Sequence, residues 1–152
     1  DMRAALLKLT MVARRRVCIT LPTGASPRTD DHVIEALGLA SRVGRDHLYA
    51  VNILSSMGFE PELTYIKSSR HDTFETFDDA LHKYDDMVRK ACALLPETRT
   101  QIALSKLKPW LETQIVENED AGKPGERGIP QGALRLREPR TITWAFIAWN
   151  VD

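Results

Sequence analysis

Residues 47–67, HLYAVNILSSMGFEPELTYIK, pass from a predicted helix through a glycine into a predicted strand without a gap. Asp46 suits the N-cap of this helix. The apolar residues that then recur at three- and four-residue steps are Ala50, Val51, Leu54 and Met57. Gly58 is expected to end the helix in a Schellman motif, in which Phe59 contacts Leu54. The stretch therefore predicts half of an α/β unit.

Three further features predict a sheet covered by helices. Pro61 bars further helix, and Leu63 and Tyr65 alternate with polar residues as they do in a strand. Residues 17–21, VCITL, are a continuous run of strand-forming residues, which is typical of a strand buried on both faces. Residues 2–13 carry a broad apolar surface suited to a helix lying on a sheet. We therefore expect a parallel or mixed sheet with helices over it.

The balance of charges does not indicate a class of binding partner. The chain has 152 residues, with 21 Lys and Arg against 21 Asp and Glu. This length is sufficient for one domain with a real core, and the equal charges give no overall field that favours nucleic acid or an acidic membrane. The sequence also contains no nucleotide fingerprint, metal-ligand cluster or nucleophile elbow. On residues alone it is an ordinary α/β chain.

Cysteine usage and hydropathy bear on the compartment. Cys18 lies in an apolar strand pattern and Cys92 in a helix pattern, so buried free thiols are favoured over a disulfide. No run approaches the roughly 20 apolar residues of a membrane span, and no signal-peptide pattern opens the chain. We expect a cytoplasmic protein. Because Asp1 stands where a start methionine would be, we also expect a piece of a longer protein or a processed product.

The long connection after VCITL holds the candidate substrate-binding residues. Ligands of open α/β sheets bind beyond the carboxyl ends of the strands, where Thr23 and Gly24 follow the predicted strand. Tyr49 and Asn52 lie beside this connection, at the start of the predicted helix. We predict that Thr23, Gly24, Tyr49 and Asn52 contact a small-molecule substrate. No residue is assigned as catalytic, cofactor-binding or metal-binding.

Two other groups contain reactive residue types. Asp30, Asp31 and His32 could ligate a metal, but adjacent acids at a helix start more often act as N-cap and dipole partners. Ser68, His71 and Asp72 are the residue types of a hydrolytic triad. Triads are assembled by the fold rather than by proximity in sequence, so this cluster is weak support for catalysis.

The second half of the chain predicts a helical hairpin and a closing strand. The helix from Thr76 has an apolar face that consists of Phe77, Leu81, Tyr84, Val88, Ala91 and Leu95. Pro96 opens a second helix, which includes Ile102 and Leu107 and restarts or kinks at Pro109. Residues 75–117 thus exceed a plain crossover and are interpreted as a helical insertion, either a cap over a site or a partner surface.

The last residues predict a loop and two strands. The glycines and prolines of 118–139 indicate a mobile loop that ends in a short strand at Leu134 and Leu136. Residues 141–149, TITWAFIAW, predict a strand covered on both faces. Trp144 and Trp149 could stack on a substrate ring, but aromatic residues in such a strand more often belong to the core.

In this order of elements the chain resembles the C-terminal half of a class I S-adenosylmethionine-dependent methyltransferase. The resemblance rests on ARRRVCITLPTG, LYAVNILSSMGFEPEL and TITWAFIAW. It implies an α/β fold with a partial Rossmann-like methyltransferase sheet. RRRVCITLP is similar to the fifth strand of that sheet, EPELTYIK to the sixth, and TITWAFIAW to the seventh, which lies antiparallel between them.

The resemblance implies a chain that does not methylate alone. In that family the cofactor S-adenosyl-L-methionine is held mainly by the first half, through a glycine-rich loop and an acidic residue that are not in this sequence. We expect cofactor in the complete enzyme and none on this chain alone. We expect a homo-oligomer or a missing N-terminal half as partner, and no nucleic acid or membrane. The alternative is a non-enzymatic α/β interaction module derived from a methyltransferase.

Overall fold

The computed structural model describes residues 1–24, 29–40 and 44–151. These residues form a mixed α/β structure with two small antiparallel sheets. The helices are α1 (Met2–Val12), α2 (Asp31–Ala36), α3 (Asp46–Ser56), α4 (Phe77–Ala91) and α5 (Glu97–Gln114), with a short 3₁₀ turn at Glu126–Gly128. The strands are β1 (Arg16–Pro22), β2 (Glu62–Arg70), β3 (Thr73–Phe74), β4 (Ile115–Glu117), β5 (Leu134–Leu136) and β6 (Arg140–Asn150).

The chain divides into two compact units. The first unit comprises the described residues within 1–27, 42–68 and 141–152, and the second comprises those within 28–41 and 69–140. Predicted α/β content is confirmed. That residues 1–152 act as one domain stays a prediction, as does the interpretation of 75–117 as an insertion.

The link between α3 and β2 in the first unit forms as the sequence predicts. The N–H of Phe59 donates to the Leu54 carbonyl at 3.1 Å and the N–H of Gly58 donates to the Ser55 carbonyl at 3.0 Å. This is the Schellman pair of hydrogen bonds, and Gly58 adopts the positive φ of 89° that it requires. The N-cap prediction is off by one residue, because Arg45 occupies the cap and Asp46 lies in the first turn.

The sheet of the first unit has the order β1-β6-β2. β6 runs antiparallel to β1, with Arg16 opposite Asn150 and Pro22 opposite Trp144. The expectation of a parallel or mixed sheet is therefore wrong. The closing strand enters between β1 and β2, so those two strands are not neighbours.

The two faces of β1 are not both buried, contrary to the sequence prediction. Val17 is buried, whereas Cys18 and Thr20 are exposed. Within the described residues β1 is an edge strand of its sheet, and α1 and α3 pack on it. The prediction of a buried thiol is thus wrong for Cys18 and confirmed for Cys92.

The core of the first unit lies between the sheet and the helices α1 and α3. Its buried members are Leu6, Val17, Ala50, Leu54, Ile147 and Trp149. The indole N–H of Trp149 donates to Thr10 Oγ1 at 3.1 Å, which satisfies the polar end of a buried ring. The predicted core role is confirmed for Trp149, while Trp144 is half-buried.

The second unit is organised around the predicted helical pair. The N-cap Thr76 and Asp79 form a capping box at the start of α4, and the helix buries Ala80, Tyr84 and Val88 against α5. α5 continues through Pro109 as one helix. Ile102 belongs to this helix as predicted and is 56% exposed. The buried positions of α5 are Thr100, Ala103, Leu107 and Leu111.

The second sheet has the order β3-β5-β4, and its strands β4 and β5 border the loop of residues 118–133. The short strand at Leu134–Leu136 is confirmed. The residues before it form a hairpin, since Gly122 N–H donates to Gln131 O at 2.8 Å and Gln131 N–H donates to Lys123 O at 3.0 Å. Its mobility stays a prediction.

Candidate functional site

A pocket of about 320 Å³ opens in the second unit. Three acids, three bases, a methionine and a tyrosine line it: Asp30, Asp72, Asp86, Lys83, Lys90, Arg140, Met87 and Tyr84. All eight belong to the second unit. A volume of this size is at the low end of small-molecule sites.

Four elements bring these side chains together. Five of the lining residues come from α4, because they recur along the face of that helix that turns toward the pocket. Asp30 is the N-cap of α2, where its carboxylate accepts a hydrogen bond from the His32 N–H at 3.1 Å. The N–H of Asp30 donates to Met87 Sδ at 3.2 Å and so ties this cap to α4. Asp72 precedes β3, and Arg140 begins β6.

Asp72 is a buried acid surrounded by bases. Its Oδ1 lies 3.1 Å from Lys83 Nζ and 3.7 Å from Arg70 Nε, and its Oδ2 lies 3.6 Å from Arg140 Nε. The side chains of Asp72 and Arg140 are 9% and 7% exposed. A buried charge needs such pairing to offset its lost hydration, so the charge of Asp72 is already compensated by the protein.

Tyr84 places a polar atom in the wall of the pocket without a partner. The residue is fully buried, and within the described residues its hydroxyl makes no hydrogen bond. Burial raises the pKa of Tyr84, and the carboxylates of Asp72 and Asp30 raise it further, so the phenol is neutral. The ring itself is well held, 5.7 Å from the ring of Phe74 in an edge-on contact.

Asp30 is the second under-compensated group. It is 3% exposed, and burial raises its pKa, with Asp72 adding to the effect and Arg140 opposing it. Among the described residues its carboxylate is in no ion pair. Among the described residues the pocket thus combines a buried carboxylate outside ion-pair distance of any cation with a buried hydroxyl that makes no hydrogen bond. It is suited to binding a small polar molecule.

The residues considered as metal ligands and as a hydrolytic triad have structural roles or lie exposed. Asp30 acts as an N-cap, as the preferred alternative to a metal ligand predicted. Among the residues that the structure describes, no group of three metal-ligating side chains is close enough to hold an ion. Asp72 pairs with bases, whereas Ser68 and His71 are exposed.

The four predicted substrate-binding residues all lie in the first unit. The N–H and Oγ1 of Thr23 both donate to the Thr143 carbonyl at 3.0 Å. The carbonyl of Gly24 accepts from the Gly44 N–H at 3.1 Å, close before α3. Tyr49 and Asn52 are exposed on α3.

The connection from Thr23 to Asp46 includes residues inside and outside the described ranges. Residues 25–28 and 41–43, which belong to the predicted substrate loop, lie outside the described residues. The structure thus brings Gly24 to the residues before α3 and leaves Tyr49 and Asn52 open to solvent. Their role in binding stays a prediction.

Sequence reasoning missed the pocket of the second unit. The sequence places Tyr84 on the apolar face of α4, where it does lie, but the periodicity does not indicate what its hydroxyl contacts. A tyrosine on a fully buried stripe is a readable signal, because its hydroxyl must find a partner. The approach of Arg140 to Asp72 has no such signal, since the two residues are far apart in sequence.

Comparison with protein-family models, with curated proteins and with solved structures gave no match. Among the described helices none has the length and apolar character needed to cross a membrane.

Proposed function

We propose that this chain is the C-terminal, substrate-side part of a class I S-adenosylmethionine-dependent methyltransferase and is inactive by itself. The observation that supports this most strongly is the strand order β1-β6-β2, with β6 antiparallel to β1. The resemblance of the sequence implies this order, with the closing strand between the fifth and sixth strands. The proposed partial Rossmann-like sheet therefore consists of β1, β6 and β2.

This strand order is specific because it departs from the usual rule of assembly. Strands that follow one another in sequence commonly pair or lie side by side. Here β1 and β2 are joined through α3, yet a strand from the end of the chain lies between them. The order therefore supports the methyltransferase interpretation against a sheet whose strands pair in chain order, and an interaction module derived from a methyltransferase would share it.

The open side of the first unit is consistent with a missing half. Within the described residues the outer edge of β1 has no neighbouring strand. On α1, Met11 and Val12 are 75% and 79% exposed. An unpaired strand edge and exposed apolar side chains are surfaces that another element normally covers. We propose that an N-terminal half, or a second copy of the chain, covers them.

The resemblance assigns the cofactor to the other half of the family's fold, through a glycine-rich loop and an acidic residue that are not in this sequence. S-adenosyl-L-methionine is therefore proposed to bind to the complementary half. Thr23, Gly24, Tyr49 and Asn52 are proposed to contact the methyl acceptor from this side.

Calorimetry with S-adenosyl-L-methionine tests the proposal. The titration is run on residues 1–152 alone and on the complete product of the gene. The proposal predicts one-to-one binding by the complete product and no detectable heat from the isolated chain. A complete product that does not bind the cofactor would reject the methyltransferase and leave the interaction module.

A further inference from the structure

The Tyr84 hydroxyl and the Asp30 carboxylate both face the pocket of the second unit. Among the described residues the Tyr84 hydroxyl makes no hydrogen bond, and the Asp30 carboxylate accepts one, from the His32 N–H. Both side chains line the cavity of about 320 Å³. Leaving a buried polar group unpaired is costly, so the arrangement favours an occupant that satisfies both.

The charged residues that line the pocket indicate whether its occupant is an anion or a cation. Asp72 is compensated by Lys83, Arg70 and Arg140, which lie within 4 Å of its oxygens. Asp30 has no ion-pair partner of this kind among the described residues. An added anion would meet Asp30 and Asp72 together, whereas a cation would complete the pairing of Asp30.

The hydrogen-bonding groups of the pocket restrict the chemical class of the ligand further. A carboxylate accepts hydrogen bonds, and a neutral phenol can accept one at its oxygen. A protonated amine has several N–H donors and carries a positive charge that can pair with the Asp30 carboxylate. Met87, whose sulfur contacts the Asp30 N–H, supplies an apolar wall for the carbon part of such a molecule.

We propose that the pocket of the second unit binds a small organic cation, a protonated primary amine, which pairs with Asp30 and donates to the Tyr84 hydroxyl. The lining residues Lys90 and Asp86 are exposed and of opposite charge. The site lies wholly within the second unit, so it goes beyond the proposed function and does not depend on it.

Three probes of equal size separate charge from shape. Benzylamine is protonated at pH 7, benzyl alcohol is its neutral analogue, and benzoate is the anionic one. Each is titrated at millimolar concentration into the isotopically labelled chain, and amide chemical shifts are followed by NMR. The proposal predicts saturable binding of benzylamine, at least about tenfold tighter than that of benzyl alcohol, with shifts centred on α4.

Two variants and a control assign the contact. Asp30→Asn keeps a good N-cap residue and is expected to abolish the preference for the amine. Tyr84→Phe keeps the ring and is expected to weaken amine binding about three- to tenfold. Asp78→Asn changes an exposed acid of α4 that does not line the pocket and should leave affinity unchanged.

Several outcomes would overturn the proposal. Benzoate binding as tightly as benzylamine would mean an anion site, and no binding of any probe would mean a pocket filled by water alone. Benzylamine binding that neither Asp30→Asn nor Tyr84→Phe weakens would place the amine elsewhere. Tyr84→Phe keeps the test valid if the Asp30 variant fails to fold.

Discussion

Replacing Tyr84 by phenylalanine should stabilise the ligand-free protein. The substitution removes a fully buried hydroxyl that makes no hydrogen bond among the described residues. It preserves the edge-on contact with Phe74 at 5.7 Å and nearly all of the side-chain volume. A buried polar group without a partner costs about 1–3 kcal/mol. We therefore expect Tyr84→Phe to raise the free energy of unfolding by about 1–2 kcal/mol.

Urea unfolding at pH 7, followed by far-ultraviolet circular dichroism, measures the effect. Tyr49→Phe is the matched control, because Tyr49 is 62% exposed, and its free energy of unfolding should change by less than about 0.5 kcal/mol. A Tyr84→Phe protein less stable than the wild type by about 1 kcal/mol would contradict this prediction, since the hydroxyl would then have a stabilising partner.

Three further predictions concern charge, packing and assembly. Because burial and Asp72 raise the folded pKa of Asp30, wild-type stability from this group is greatest below its unfolded pKa and falls as the pH rises through the folded pKa. Urea midpoints at several pH values should therefore show the stability of Asp30→Asn rising relative to that of the wild type from acid to neutral pH. A stability difference that does not change with pH contradicts this. Gly132→Ala would place a Cβ 2.5 Å from the carbonyl carbon and oxygen of Phe74, so we expect a loss of about 1–3 kcal/mol or more, against little change for Gly58→Asn, which keeps a residue tolerant of positive φ. Wild-type stability in the Gly132 variant would mean that β3 can shift. Light scattering at micromolar concentration should show residues 1–152 as a homodimer or larger oligomer; a well-behaved monomer with a cooperative thermal transition would contradict that expectation.

Local signals account for the parts of the fold that the sequence predicts well. The end of α3 is determined locally, because Gly58 readily adopts a positive φ and Phe59 follows it directly. The start of α4 is determined by a capping box that spans four residues. The sequence does not determine which face of α5 is buried, because Ile102 and Ala103 both suit a helix. Packing against α4 selects Ala103 for the core.

Long-range pairings account for what could not be predicted. The direction of the sheet depends on β6, which arrives from the opposite end of the chain, so VCITL alone could not reveal its antiparallel neighbour. The candidate pocket depends on Arg140 and Asp30 reaching α4 from distant positions. Composition and periodicity carry no information about such meetings, and a resemblance of element order carries little about individual side chains.

We propose that β1 is an interior strand of a larger sheet, whose next strand comes from another part of the complete protein. Amide hydrogen exchange of Arg16–Pro22 tests it directly, on the complete product of the gene and on residues 1–152 diluted to the monomer. The β1 amides that do not bond to β6 should exchange rapidly in the isolated chain and be protected by roughly a hundredfold or more in the complete product. Equally rapid exchange of these amides in both proteins would contradict the claim.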